Sequence, residues 1–174
     1  MTVRFEEGLT LSEEIHLAAS PAEVWKLVTD IELPTRFSPE LKRVEWLDGA
    51  TEPAVGARFA GHNENEHVGA WETHSQVVGL EHERRFAWAI SVPDGRYGDS
   101  SPEAPIATWS FDLVPEDGGT LLRQTVVIGP ARSGVTVAIE QNPERAERIA
   151  EGRVAMLRGG MRATLEGVRE LVSG

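Results

Sequence analysis

The sequence predicts an α+β fold: a curved antiparallel sheet of seven strands wrapped around one long C-terminal helix, with two short helices after the first strand. Three observations carry this. Between residues 41 and 129, apolar residues recur with period two in short runs divided by turn residues. From Pro143 onward the period becomes that of a helix. Between the first strand and everything else, the chain starts a helix and breaks it at Pro34 and again at Pro39.

The first strand is read from "LTLSEEIHLA", which runs straight into "AASPAEVWKLVTD". There Ser20 suits an N-cap, Pro21 the first helical position, and Glu23 completes a capping box three residues after the cap. Val24, Leu27 and Val28 share one face of this helix, which stops near Asp30, and "LPTRFS" supplies the second short turn. Strands follow at 41–48, 57–67, 71–81, 84–92, 107–114 and 120–129. The connections are mostly short, which makes neighbouring strands antiparallel. "EDGG" at 116–119 is the clearest hairpin turn. In the tail, Asn142 can cap a helix of about thirty residues, roughly 45 Å long. Ile149, Val154, Leu157, Met161, Leu165, Val168 and Val172 keep its helical spacing, and Gly159-Gly160 is expected to interrupt it. Its face "ERAERIAEGR" reads as solvated, with pairs such as Glu144 and Arg148. A sheet curved around the apolar side of such a helix is a helix-grip arrangement, with the broken helix pair closing one end of the groove.

Length suits a single domain spanning 1–174. The net charge of -11 argues against nucleic acid or an anionic membrane as partner, and the absence of cysteine excludes disulfides, thiolate metal sites and a Cys nucleophile. No signal pattern opens the chain and no apolar run is long enough to span a bilayer, so a cytoplasmic location is expected.

Strand parity supplies the candidate site. If Phe59 faces inward, so do Gly61, Asn63 and Asn65. Pairing His67 with Trp71 across Gly69 sets Asn63 opposite Ser75 and Asn65 opposite Thr73. Amides and hydroxyls among tryptophans are the makeup of a small-molecule pocket; equally, this polar end of the hairpin can lie beyond the core in water. Gln124 shares a face with Leu122, Val126 and Ile128, so its amide must find a partner in protein, water or ligand. Trp88 and Trp109 fall on inward faces of neighbouring strands, where core and cavity wall need the same residues. Met161 faces them from the helix. The loop 93–105 holds three prolines and two glycines, with Tyr97 placed to swing over a cavity mouth as a lid or to sit on a mobile surface loop. The candidate ligand contacts are therefore Asn63, Trp71, Thr73, Ser75, Trp88, Tyr97, Trp109, Gln124 and Met161.

Other chemistries fit less well. His62, Glu64 and His67 do not converge, because His67 falls on the opposite strand face, so no metal is expected. His74 and His82 read as exposed. Ser133 lacks the glycines of a nucleophile elbow, and "RGGMRAT" lacks the spacing and Lys of a phosphate loop.

The segments "IHLAASPAEVWKLVTDIE", "RVEWLDGATEPAVGARFAGHN", "RRFAWAI", "TWSFDLVPEDGGTLL" and the tail from "IGPARSG" resemble the START/SRPBCC superfamily in its polyketide cyclase/dehydrase branch. The resemblance implies the helix-grip fold and a cavity between sheet and helix. It transfers no catalytic residue. Three functions stay open: a carrier of a hydrophobic small molecule (polyketide-, lipid- or isoprenoid-like), a cyclase or dehydratase using the same cavity, and a co-chaperone-like interaction module. No cofactor is expected, and monomer and homodimer are both allowed.

Overall fold

The computed structural model describes residues 4–66 and 69–173. β1 (Thr10–Leu17) is followed by α1 (Pro21–Val28) and a 3-10 turn at Leu33–Arg36. Then come β2 (Leu41–Trp46), β3 (Arg58–Asn65), β4 (Gly69–Glu81), β5 (Arg85–Ser91), β6 (Ala107–Glu116) and β7 (Gly119–Ile128). α2 (Gly134–Gln141), a 3-10 turn (Pro143–Arg145) and α3 (Ala146–Ser173) complete the chain. The strands form one antiparallel sheet in the order β1-β7-β6-β5-β4-β3-β2, an open curved sheet with the long helix on its inner face. This is the α+β helix-grip architecture the sequence predicts.

Local chemistry sets the element ends. Ser20 caps α1 reciprocally: its hydroxyl accepts from the Glu23 amide at 3.3 Å, and the Glu23 carboxylate accepts from the Ser20 amide at 3.0 Å. α1 then buries Val24 and Val28 against Leu33, Phe86, Phe111, Leu165 and Val168. Phe37, just after the 3-10 turn, lies on α3 at Gly167, where any Cβ would overlap its ring. The helix pair and the C-terminal part of α3 thus close one end of the molecule together.

One helix is added and three expectations are corrected. Ser133 caps a further helix, α2, with Thr136 as its reciprocal partner. α3 begins at Ala146 and runs unbroken through Gly159 and Gly160, which are exposed and meet nothing at their missing Cβ positions. The expected Glu144–Arg148 pair is absent, because Glu144 sits in the preceding 3-10 turn. The β3–β4 register is shifted by four residues, each β3 residue meeting an earlier β4 partner than expected: Asn63 is opposite Trp71, Gly61 opposite Thr73 and Phe59 opposite Ser75. His67, on which the expected register was hung, lies outside the described residues. A slip by an even number leaves every side chain on its expected face.

Candidate functional site

The strand registers define the inner face of the sheet. Cross-strand partners run Asn63–Trp71 and Gly61–Thr73 between β3 and β4, then Ser75–Ile90 and Val77–Trp88 to β5. They continue Trp88–Trp109 to β6, then Trp109–Val126 and Phe111–Gln124 to β7, and end at Gln124–Glu13 on β1. A bulge between Val77 and Gly79 does not disturb this inner row. Asn63, Trp71, Thr73, Ser75, Trp88, Trp109 and Gln124 therefore share one face.

Coverage of that face is uneven. Phe86 and Phe111 are 2 % and 1 % exposed, as the sequence leads one to expect. Trp88 and Trp109, expected to be buried like them, are only half-buried, although they lie on middle strands. Asn63, Trp71 and Thr73 are half-buried too, while Ser75 is buried. The physical reason is the placement of α3, which packs chiefly on β1 rather than over the centre of the sheet. Met161, fully buried, joins Leu11, Ala107, Val126 and Ile128, and half-buried Val154 and Leu157 extend that cluster.

The helix is fixed to β1 by charge as well as by packing. Glu13 points inward, and its carboxylate accepts from Arg158 at 2.5 Å and from Arg162 at 2.6 Å. Arg158 and Arg169 also donate to the Ser12 and His16 carbonyls at 3.2 and 3.4 Å, occupying backbone acceptors of an edge strand. Burial raises the Glu13 pKa, but hydrogen bonds and charge from Arg162 and Arg158 outweigh it and hold the carboxyl below the ordinary value. Sequence reading missed Glu13 as an inward residue. The signal was available, as an acid at an apolar position of the alternation Leu11, Ile15, Leu17, matched by arginines one turn apart on the helix.

Polar groups on the inner face differ in how they are satisfied. Thr73 Oγ1 reaches over Gly61, where a Cβ would lie 2.8 Å from it, so the glycine makes room for the hydroxyl. The Asn63 amide has a long contact of 3.5 Å to the Gly61 carbonyl, and Asn65 donates to Glu40 at 2.8 Å. Gln124 is 6 % exposed, and its Oε1 has no hydrogen-bond partner.

Tyr97 is apart from the sheet. Its ring packs on Gly134 at the start of α2, where a Cβ would stand 3.1 Å from Cζ. The 93–105 loop carrying it is tied internally: the Val92 amide donates to Ser100 Oγ at 2.9 Å, and Arg96 pairs with Asp94 at 2.7 Å. None of the eight residues of α2 is fully buried.

The outer face has a different character. His62 and His74 each contact Glu72, at 3.5 and 2.8 Å; His62 also meets Glu45 at 2.9 Å, and His74 meets Arg58 at 3.1 Å. His74 is thus half-buried in an ion-pair chain rather than freely exposed. Among the described residues, no group of three or more His, Cys, Asp or Glu side chains could hold a metal ion. Two surface cavities are also present. One of about 470 Å³ lies beside the helix pair, lined by Asp30, Glu32, Val44, Trp46 and Glu52; the other, about 230 Å³, lies between Glu13, His16 and Arg162. Carboxylates rim the larger one, which suits an apolar ligand less well than the tryptophan-lined inner face.

Residues 9–172 match the family model described as polyketide cyclase/dehydrase and lipid transport. The chain belongs to that family. Among solved structures it is similar to the polyketide cyclase-like protein Cgl2372 from Corynebacterium glutamicum, with 27% identity over 96% of this chain and 93% of that one, at a TM-score of 0.64. It is also similar to the di-domain aromatase/cyclase BexL of the BE-7585A biosynthetic pathway, with 17% identity, 95% of this chain, 50% of that one and a TM-score of 0.66. The di-domain aromatase/cyclase StfQ of the steffimycin pathway gives 11% identity, 94% and 50% coverage and a TM-score of 0.69. These last two likenesses speak for the fold alone. No curated protein matches the chain. Among the described residues, no helix is long and apolar enough to cross a membrane.

Proposed function

We propose that the chain is one START/SRPBCC-like domain that binds a hydrophobic small molecule, of polyketide, lipid or isoprenoid character, against the inner face of its sheet. The observation that carries this reading is the partial exposure of Trp88, Trp109, Trp71 and Thr73 on the inner face of the sheet, which α3 leaves largely uncovered away from β1. Aromatic surface left open on middle strands loses the transfer free energy its burial would supply, about 25 cal/mol per Å². A bound apolar molecule restores it. Asn63, Thr73 and Ser75 would orient the ligand, and Met161, buried among Leu11, Val126 and Ile128, would support the wall rather than touch the ligand. Tyr97 and α2 would flank the entrance.

A second reading, a cyclase or dehydratase, is supported by the family description. In that case the same face would hold a reactive chain in one folded geometry, and positioning would supply most of the rate.

The test is titration of the protein with Nile red, a neutral dye that brightens in apolar surroundings. Saturable binding is expected in the wild type and its loss in Thr73→Lys, which sets a charge on the open face without touching the buried core. Equal binding by both proteins would contradict the reading.

A further inference from the structure

The Gln124 carbonyl, which no protein group hydrogen-bonds, lies on the same face as the partly exposed tryptophans. Its neighbours along β7, Leu122 and Val126, are fully buried and apolar, and Phe111 flanks it on β6. On the other side stands Glu13, whose carboxylate offers acceptors only. The donors that α3 brings to this flank, Arg158 and Arg162, are engaged with Glu13. On the same helix, the Thr164 hydroxyl donates to the Gly160 carbonyl at 3.0 Å. A buried amide oxygen without a donor is destabilising, whereas leucine or methionine would fill much the same volume without that penalty.

Resting on the binding site proposed above, we infer that Gln124 Oε1 is the polar anchor of the site, selecting neutral ligands that present an O–H or N–H donor at their inner end. The chemistry excludes the other head groups. A carboxylate or phosphate brings only acceptors to the amide oxygen and would lose its hydration for no hydrogen bond there, so a free fatty acid enters badly with its head toward Gln124. A cation would lose its hydration for one neutral acceptor, because Glu13 is already paired. What remains is a hydroxylated ring or chain end, with its apolar body against Trp88 and Trp109. The ligand class narrows from hydrophobic molecules in general to neutral hydroxylated aromatics or polyenes.

The experiment compares three probes sharing one ring system: 2-naphthol, 2-methoxynaphthalene and 2-naphthoate. Each is titrated by calorimetry into the full chain and into Gln124→Leu, with thermal melts of both proteins. The wild type is expected to bind 2-naphthol about two- to ten-fold more tightly than 2-methoxynaphthalene, the size of one hydrogen bond, and 2-naphthoate most weakly. Gln124→Leu should erase the advantage of 2-naphthol and melt no lower than wild type. Equal binding of 2-naphthol and 2-methoxynaphthalene by the wild type would overturn the inference while leaving the binding site standing, and it needs no variant. An advantage that survives in Gln124→Leu, or a large fall in melting temperature with unchanged affinities, would overturn it as well by making Gln124 a structural amide. Failure of every probe to bind would remove the binding reading and the anchor together.

Discussion

The two ends of the sheet–helix interface are built from the same strands and the same helix, and they are packed very differently. At one end, Leu165 and Val168 of α3 are buried among Val24, Val28, Leu33, Phe86 and Phe111, and Phe37 sits directly on Gly167. Toward the other end, only Ala150 among the first fifteen residues of α3 is buried, and Met156 is 53% exposed. Val154 and Leu157 are half-covered there, as is Trp109, while Trp88 lies against Phe86 and Phe111 at the border of the packed end. The difference separates two tasks. Close packing at the helix-pair end supplies stability, while the other end keeps apolar surface open, where we propose that the ligand rests.

The comparison is broken most directly by the same truncation at both ends. Leu165→Ala should cost about 2–5 kcal/mol, as for a buried leucine that leaves a cavity, and Leu157→Ala should cost under about 1 kcal/mol. Chemical denaturation of the two variants checks this, and similar losses would mean that the helix is packed evenly along its length.

Gly167→Ala comes next. Its Cβ would overlap the Phe37 ring, so a loss of about 1–3 kcal/mol is expected from overpacking. Adding Phe37→Ala should make the glycine substitution nearly harmless within that double variant. A melt of the four proteins in the cycle measures it.

The charge latch gives a smaller, pH-dependent effect. The folded-state pKa of Glu13 is lowered, so its contribution is present above the unfolded carboxyl value and is lost as pH falls through the folded value. Glu13→Gln should therefore destabilise by about 1–2 kcal/mol at neutral pH, and the difference should shrink as pH falls below the unfolded carboxyl value and through the lowered folded one. A difference that grows on acidification would have the wrong sign for a carboxylate held by Arg158 and Arg162.

Much of this was legible in the sequence, for identifiable reasons. Period-two alternation put Trp71, Thr73, Trp88, Trp109 and Gln124 on one face, and the face survived an error in β3–β4 register because the slip was even. The Ser20–Glu23 capping box fixed the start of α1. α2 escaped because its cap pairs Ser133 with Thr136 instead of an acid, and because eight residues between Pro130 and Pro143 resemble a loop. The half-exposure of Trp88 and Trp109 was not legible either. It depends on where α3 rests across the sheet, a placement held by the packing of Met161, Leu165 and Val168 together with the Glu13 contacts to Arg158 and Arg162.

The division of labour between the two ends is tested most directly by the five indole N–H resonances of the protein. Trp25 and Trp46 pack at the helix-pair end, and Trp46 also lines the acidic cavity there; Trp71 and Trp109 lie on the open part of the inner face, and Trp88 stands between the two, against Phe86 and Phe111. In a nitrogen-15 NMR titration with 2-naphthol, the resonances of Trp71, Trp88 and Trp109 should shift together and saturably, with Trp25 and Trp46 unmoved. Shifts confined to Trp25 and Trp46 would place binding at the packed end and contradict the account.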